Sequence, residues 1–374
     1  MSGDNYPIPI VFVAYLPEAE KGGQVNLLRL LRGLDRTRFS PTLTVPREDT
    51  LSEAALALDV PVYVADVQRC DWWNPAQYFR GRRGIKVLRA VLQSVKPAIV
   101  YVDAQDHVAP ARAAIGELDI RLIWHAQTSF RTRFDSKNLS QADVVVSCSD
   151  SVASRFEGMV STAKQIRIPN AVDCEQFRPD SGDKLREDLG ADFNTQSVLF
   201  VGEFSHHKGL ADLIEAFSEV SQSVQSAQLW VAGRGTPAQE AQLKRRVEAL
   251  GLTEQVQWLG YRKDIPQLLN AADLFAFPSH IEGMSLALLE AMAAGAAIVA
   301  SDIPANTEVI ADGTGLLVPV SDTSALSAAI VSVLSSPDKR ANMGQMARIH
   351  AESNFAINHF ISAFDSLFAE QSTD

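Results

Sequence analysis

The stretch LFAFPSHIEGMSLALLEAMAAG, Leu274–Gly295, carries the reading of the fold. Its first four residues are apolar and aromatic and stop at Pro278, the pattern of a short buried strand. Glu282 and Gly283 then occupy a short loop, and a helix begins near Ser285, a residue type suited to N-capping. Backbone N–H groups at a helix start favour an anion, and Gly283 has no Cβ to hold one away. Glu290 lies about one and a half turns into the helix, a carboxylate in an otherwise apolar run. Two readings stay open on this pattern alone: a core helix with two incidental acids, or a strand–loop–helix site for an anion.

Working outward, short apolar runs rich in β-branched residues alternate with helical periods along the whole chain. Strand candidates in the first half are Ile8–Ala14, Pro41–Val45, Val60–Val64, Ala98–Val102, Arg121–Trp124 and Val144–Ser147, with helical periods at Val25–Leu34 and Ile85–Ser94. The second half restarts at Val198–Val201 and continues through Gln228–Ala232, Val256–Leu259 and Ile298–Ala300. Strands apolar on both sides and separated by helices predict parallel sheets covered on both faces. The fold class is therefore α/β, with two Rossmann-like doubly wound domains facing across a cleft, where ligands bind beyond the carboxyl ends of the strands. Residues 1–178 form the first domain and 179–352 the second. Residues 353–374 form an amphipathic helix with Ile357, Phe360, Ile361, Phe364, Leu367 and Phe368 on one stripe, expected to pack back on the first domain. The segment Ile168–Lys184, with its two prolines, glycine and acids, reads as the linker.

Composition narrows the class. A chain of 374 residues, 46% of them hydrophobic, suits about two domains and excludes a disordered or collagen-like protein. Cys70, Cys148 and Cys174 make neither a metal-type spacing nor an even set, which suggests a reducing, cytoplasmic compartment. The first 20 residues lack the Lys or Arg of a secretory leader, and the apolar runs fall short of the ~18 residues that span a membrane. The net charge of −11 is unevenly spread: residues 1–180 hold 22 Lys and Arg against 21 Asp and Glu, and residues 181–374 hold 12 against 24. That balance lacks a nucleic-acid footprint. One basic stretch stands out, Arg69–Lys96, where seven cations accompany a single acid, Asp71, with Trp72, Trp73, Tyr78 and Phe79 interleaved. It reads either as a solvated helix face or as a surface for an anionic membrane.

Several blocks together resemble the family 4 retaining glycosyltransferases of the GT-B fold (GT4). They are Pro278–Gly295 with its Glu-x7-Glu spacing, Ala300-Ser-Asp-Ile-Pro304, Gly313-Thr-Gly-Leu-Leu-Val-Pro319, Val201-Gly-Glu-Phe-Ser-His-His-Lys-Gly209, Ile168-Pro-Asn-Ala-Val-Asp173 and the Gly22-Gly23 loop. The resemblance implies transfer of a sugar from a nucleoside-diphosphate sugar, UDP ahead of GDP, to an acceptor hydroxyl in glycan, polysaccharide or glycolipid biosynthesis. It implies that Glu282 orients the donor sugar, Glu290 holds the ribose hydroxyls and Lys208 neutralises the diphosphate. Gly23, Gly202 and the backbone at Gly283, Met284, Ser285 and Leu286 would line the donor. The chain has no Asp-x-Asp, so no metal and no cofactor is expected. His125 ends a strand; packing or capping is the ordinary role of such a histidine, but the resemblance places it beside the reacting sugar as a catalytic residue. Gly22 and Asp103 are candidates on the acceptor side.

One position departs from the family. Where relatives commonly carry Arg after the glycine of this strand, the chain has Glu203. A carboxylate there repels a diphosphate, so Glu203 is expected to turn away, onto Lys208, or to be offset by Arg262 or Arg234. Loss of donor affinity is the third option. The segment Gly233-Arg-Gly235-Thr-Pro-Ala238 matches a dinucleotide fingerprint but follows the second strand of its domain, and Pro237 starts its helix, so it reads as a tight turn. The alternatives to a transferase are a nucleotide-sugar epimerase of the same fold or a non-catalytic nucleotide-sugar binder. The expected acceptor is a glycan or lipid-linked molecule, met at the cytoplasmic face of a membrane if Arg69–Lys96 binds there.

Overall fold

A computed structural model of the protein describes residues 6–68 and 74–372. The chain divides into two compact units, Met1–Asn170 with Ile357–Asp374, and Ala171–Ala356. The division falls after Asn170, inside the expected linker and ahead of residue 178. No helix among the described residues is long and apolar enough to cross a membrane.

The first unit holds a seven-stranded parallel sheet in the order β3-β2-β1-β4-β5-β6-β7. Its strands are β1 (Ile8–Val13), β2 (Phe39–Val45), β3 (Val62–Val64), β4 (Ile99–Val102), β5 (Arg121–Ala126), β6 (Val144–Ser147) and β7 (Lys164–Arg167). The central strands β4 and β6 are buried at every position, which is why they read as unbroken apolar runs. By contrast β7, Lys-Gln-Ile-Arg, is an exposed edge strand with no apolar period to announce it. The helix Pro75–Val95 starts ten residues before the expected Ile85, because Asn74 caps it, accepting from Gln77 N, and Pro75 takes the first helical position. Its buried side is Gly81, Gly84, Leu88, Val91 and Leu92, at helical spacing, and Phe79, Arg80, Arg82, Arg83 and Lys86 are exposed. Asp66 pairs with Arg80 at 3.3 Å. Trp72 and Trp73 lie outside the described residues. The helix Ile357–Gln371 completes this unit, burying Phe360, Phe364, Leu367 and Phe368. Phe368 meets Phe12 and Phe39 edge-on, with centroids 6.0 and 5.9 Å apart.

The second unit holds a six-stranded parallel sheet in the order β10-β9-β8-β11-β12-β13. Its strands are β8 (Gln196–Val201), β9 (Ala227–Ala232), β10 (Val256–Gly260), β11 (Leu274–Phe277), β12 (Ile298–Ser301) and β13 (Leu316–Val318). A continuous core links β8, β9 and β11 with Leu213, Ile214 and Phe217 of the helix Leu210–Ser223 and Ile330 and Val333 of the helix Thr323–Leu334. Arg348 of the helix Pro337–Asn354 ties the start of this unit down, donating to the carbonyls of Cys174, Phe177 and Ala293.

In both sheets the strand order reverses once, between β1 and β4 and between β8 and β11. At such a reversal the flanking loops leave in opposite directions and open a crevice at the carboxyl ends. The loops that start there are therefore where each unit can hold a ligand.

Candidate functional site

In the second unit the reversal brings together the loop after β8 and the loop after β11. The first runs from Gly202 into a single 3-10 turn, His206–Lys208, and then Gly209, which opens the helix Leu210–Ser223. Gly209 has φ +69°, and a Cβ there would stand 2.0 Å from the Pro278 carbonyl oxygen, so only glycine lets the two loops touch. The second loop carries Glu282, Gly283 and Met284 into the helix Leu286–Ala293, which Ser285 caps by accepting from Leu288 N at 3.4 Å. Across the junction Lys208 Nζ donates to Glu282 Oε1 at 2.7 Å, with the two side chains 22% and 11% exposed. The Phe277 ring lies 5.9 Å from the ammonium. Glu290 is half-buried on the fifth position of the helix. The structure thus brings Lys208, Glu282, Gly283, Met284, Ser285 and Glu290 to one end of the sheet.

Glu203 is exposed, and Lys208 bonds the carboxylate of Glu282. The two cations proposed as substitutes are engaged elsewhere. Arg262 donates from Nε and Nη2 to both oxygens of Asp264, at 2.8 and 2.5 Å. Arg234 lies over the Tyr261 ring at 5.0 Å. The dinucleotide-like segment is a packing turn: Gly233 has φ +141°, and a Cβ would sit 1.8 Å from the Gly202 carbonyl oxygen. The helix that follows it, Pro237–Ala249, is closed by a reciprocal Thr236–Gln239 capping box, so its start is already satisfied.

Sequence reasoning passed over a second pair at this site. His280 Nε2 bonds Asp212 Oδ2 at 2.7 Å, and His280 N donates to the His207 carbonyl at 2.7 Å. Its ring meets that of His206 edge-on, 5.2 Å away. His280 therefore fastens the loop that carries Glu282 to the loop that carries Lys208. Its place two residues before Glu282 was the available signal, but Asp212, 68 residues away, was not visible as its partner.

In the first unit the reversal between β1 and β4 gathers Gly22, Gly23 and Asp103. Asp103 Oδ1 accepts from Tyr15 N at 3.1 Å and Oδ2 from Gln24 Nε2 at 2.8 Å, tying the end of β4 to the glycine-loop helix Gly22–Gly33. Burial pushes its carboxyl up to about 7, against the pull of those two donors. Gly23 packs near Gln127, whose amide would lie 3.6 Å from an added Cβ.

His125 is the fifth residue of β5, and its side chain is enclosed: exposure is 0%, with Nε2 buried and lacking a hydrogen-bond partner. Nδ1 shares a 2.5 Å hydrogen bond with the Tyr101 hydroxyl, and the ring packs against Phe364 and Phe360, with centroids 5.4 and 6.5 Å away. Burial drives the imidazole down to about 3, so it is neutral near pH 7. The strand end was visible in sequence; the helix that covers it comes from the far end of the chain. Behind β5, Arg155, also missed, pairs with Asp135 at 2.5 Å and donates to the Thr128 carbonyl, bracing residues 128–135 from within. Groups of three or more His, Cys, Asp or Glu arranged to hold a metal are absent among the described residues.

Comparison with known proteins covers both units. The family model described as "Glycosyl transferases group 1" matches residues 181–350, and "Glycosyltransferase Family 4" matches residues 21–176. The chain is 26% identical over 232 residues to N-acetyl-alpha-D-glucosaminyl L-malate synthase of Bacillus anthracis, covering 62% of this chain and 60% of that protein. It is 29% identical over 230 residues to a GDP-mannose-dependent monoacylated alpha-(1-6)-phosphatidylinositol monomannoside mannosyltransferase of Corynebacterium glutamicum, covering 58% of this chain and 59% of that protein. The matches thus span about 60% of these relatives' length. In structure it is similar to HepE of Anabaena, solved with UDP and glucose, with a TM-score of 0.83 at 20% identity, covering 97% of this chain and 99% of that one.

Proposed function

Because this chain belongs to the family 4 glycosyltransferases, with the GT-B pair of Rossmann-like units, we propose that it transfers a sugar from a nucleoside-diphosphate sugar to an acceptor hydroxyl. The observation that carries the reading is the meeting of Lys208 and Glu282 where the strand order reverses, at the start of the helix Leu286–Ala293. In it, Lys208 and the amides around Gly283–Leu286 receive the charge that develops on the departing diphosphate, and Glu282 accepts from the donor sugar's hydroxyls. Glu290 takes the ribose hydroxyls. Lysine and amides supply the counter-charge, so the reading needs no cofactor. Transfer proceeds with retention, the donor phosphate itself taking the acceptor proton on the leaving-group side.

The acceptor belongs to glycan or glycolipid synthesis in this proposal, and the phosphatidylinositol-based acceptor in the name of the Corynebacterium relative supports a lipid-linked one. The exposed face of Pro75–Val95, with Arg80, Arg82, Arg83, Lys86 and Phe79 (70% exposed), then meets the anionic headgroups of a cytoplasmic membrane surface. A thermal-shift panel of UDP-, GDP- and ADP-sugars tests the donor reading. One class of donor should raise the melting temperature of the wild type, by mass action, and raise that of Glu282→Ala less. A panel that moves neither protein contradicts it.

A further inference from the structure

Lys208 and the amides around Gly283–Leu286 can meet one diphosphate only if two separate loops, after β8 and after β11, stand in register. The loop after β11 forms no helix or strand from Pro278 to Ser285, so its place depends on what its residues bond. His280 makes three ties from that loop. Its N–H donates to the His207 carbonyl at 2.7 Å, its ring donates from Nε2 to Asp212 Oδ2 at 2.7 Å, and the ring edge meets His206 at 5.2 Å. All three partners lie in residues 206–212, the segment that contains Lys208, and Asp212 sits in the first turn of the helix Leu210–Ser223. Ser321 Oγ, from the loop after β13, stands 3.4 Å from the same ring nitrogen. None of these ties uses Lys208 or Glu282, so they persist while a ligand engages those two side chains.

We infer that His280 is a positioning residue for the donor site: its ring, pinned on Asp212, sets the loop that carries Glu282 and Gly283 against the loop that carries Lys208. A ligand that finds the lysine and the amides already convergent does not have to order them on binding, and that saved ordering appears as affinity. The pair suits the task. An imidazole is a flat ring on two rotatable bonds, and a hydrogen bond to an ionised carboxylate is stronger than one between neutral groups. In this role His280 touches no reacting atom and acts through Lys208 and the amides. Without the ring, the bond from His280 N and the contact of Gly209 with the Pro278 carbonyl remain, so the loss is graded rather than complete. The inference rests on the proposed donor reading and adds the pair His280–Asp212 to the residues on which donor affinity depends.

Isothermal titration calorimetry of the full chain with UDP-glucose, GDP-mannose and ADP-glucose tests it, because a folding defect lowers the bound stoichiometry whereas a displaced loop raises Kd. For the probe that the wild type binds, His280→Leu should raise Kd about tenfold, the loss of one hydrogen bond to a charged group. His280→Gln, whose Nε2 amide can donate to Asp212, should stay within about twofold of the wild type. Asp212→Leu should bind about tenfold more weakly than Asp212→Asn, whose Oδ1 still accepts from the ring. Within each pair of variants the charge is the same and the hydrogen bond differs. A wild-type Kd in the folded fraction of His280→Leu, or a His280→Gln as weak as His280→Leu, overturns the inference and leaves the donor reading standing. If His280→Leu does not fold, the Asp212 variants decide, and equal Kd values in those two overturn the inference. Silence of the wild type toward all three probes overturns the donor reading, and the inference with it.

Discussion

Lys208 and His125 both stand where a polar residue meets the carboxyl end of a Rossmann-like sheet, and the chain treats them in opposite ways. Beyond β8 and β11 the chain places glycine, proline and a capped helix start, so Lys208 and Glu282 keep contact with solvent while bonding each other. Over β5 it places the phenylalanines of Ile357–Gln371, which enclose His125 while its Nδ1 bonds the Tyr101 hydroxyl. Position at a strand end nominates a residue for chemistry. What the rest of the chain lays over that end decides whether the residue is open to solvent or enclosed.

The sharpest way to break this contrast is to remove each residue in turn. Lys208→Met should lower sugar-transfer turnover about 10²–10³-fold, the usual loss for one charge-stabilising donor. His125→Ala should behave in the reverse sense, losing about 2–4 kcal/mol in urea unfolding as a cavity opens among Phe360, Phe364 and Tyr101. Its folded fraction should still turn over. Full stability with abolished turnover in His125→Ala would return that residue to the reacting centre. Next in size, Gly209→Ala should cost about 1–3 kcal/mol, because an alanine at φ +69° also meets the Pro278 carbonyl.

A further effect concerns pH and the first unit's own strand reversal. Burial raises the folded pKa of Asp103 from 3.8 to about 7, so the folded protein holds that proton more tightly than the unfolded chain does. Its contribution is therefore fully present below about pH 4 and declines as pH rises through about 7. Asp103→Asn, whose Oδ1 can still accept from Tyr15 N, should flatten this part of the stability profile. Melting temperatures of the two proteins measured from about pH 5 to pH 8 check it; parallel curves count against a raised Asp103.

Much of the architecture was legible because parallel strands buried on both faces must be apolar throughout, as in β6 (Val-Val-Val-Ser) and β11 (Leu-Phe-Ala-Phe). The strand β7 escaped because an exposed edge needs no apolar run, and the start of Pro75–Val95 escaped because its first turns carry their cations outward. At the candidate site, Ser285 as cap and the closeness of Glu282 to a helix start followed from local chemistry. The partner of Lys208 did not: Glu203 is five residues away in sequence, Glu282 is 74, and only the reversal between β8 and β11 makes the distant one adjacent. The enclosure of His125 was hidden for the same reason, its cover being supplied by a helix that begins at Ile357.

The most direct measurement is a crystal structure of the protein with the nucleoside-diphosphate sugar that the thermal-shift panel selects. The account predicts the diphosphate at the start of the helix Leu286–Ala293, with an oxygen about 3 Å from Lys208 Nζ and the sugar hydroxyls on Glu282. A donor seated instead at the Gly233–Gly235 turn, or one that leaves Lys208 bonded to Glu282 and untouched, would contradict it.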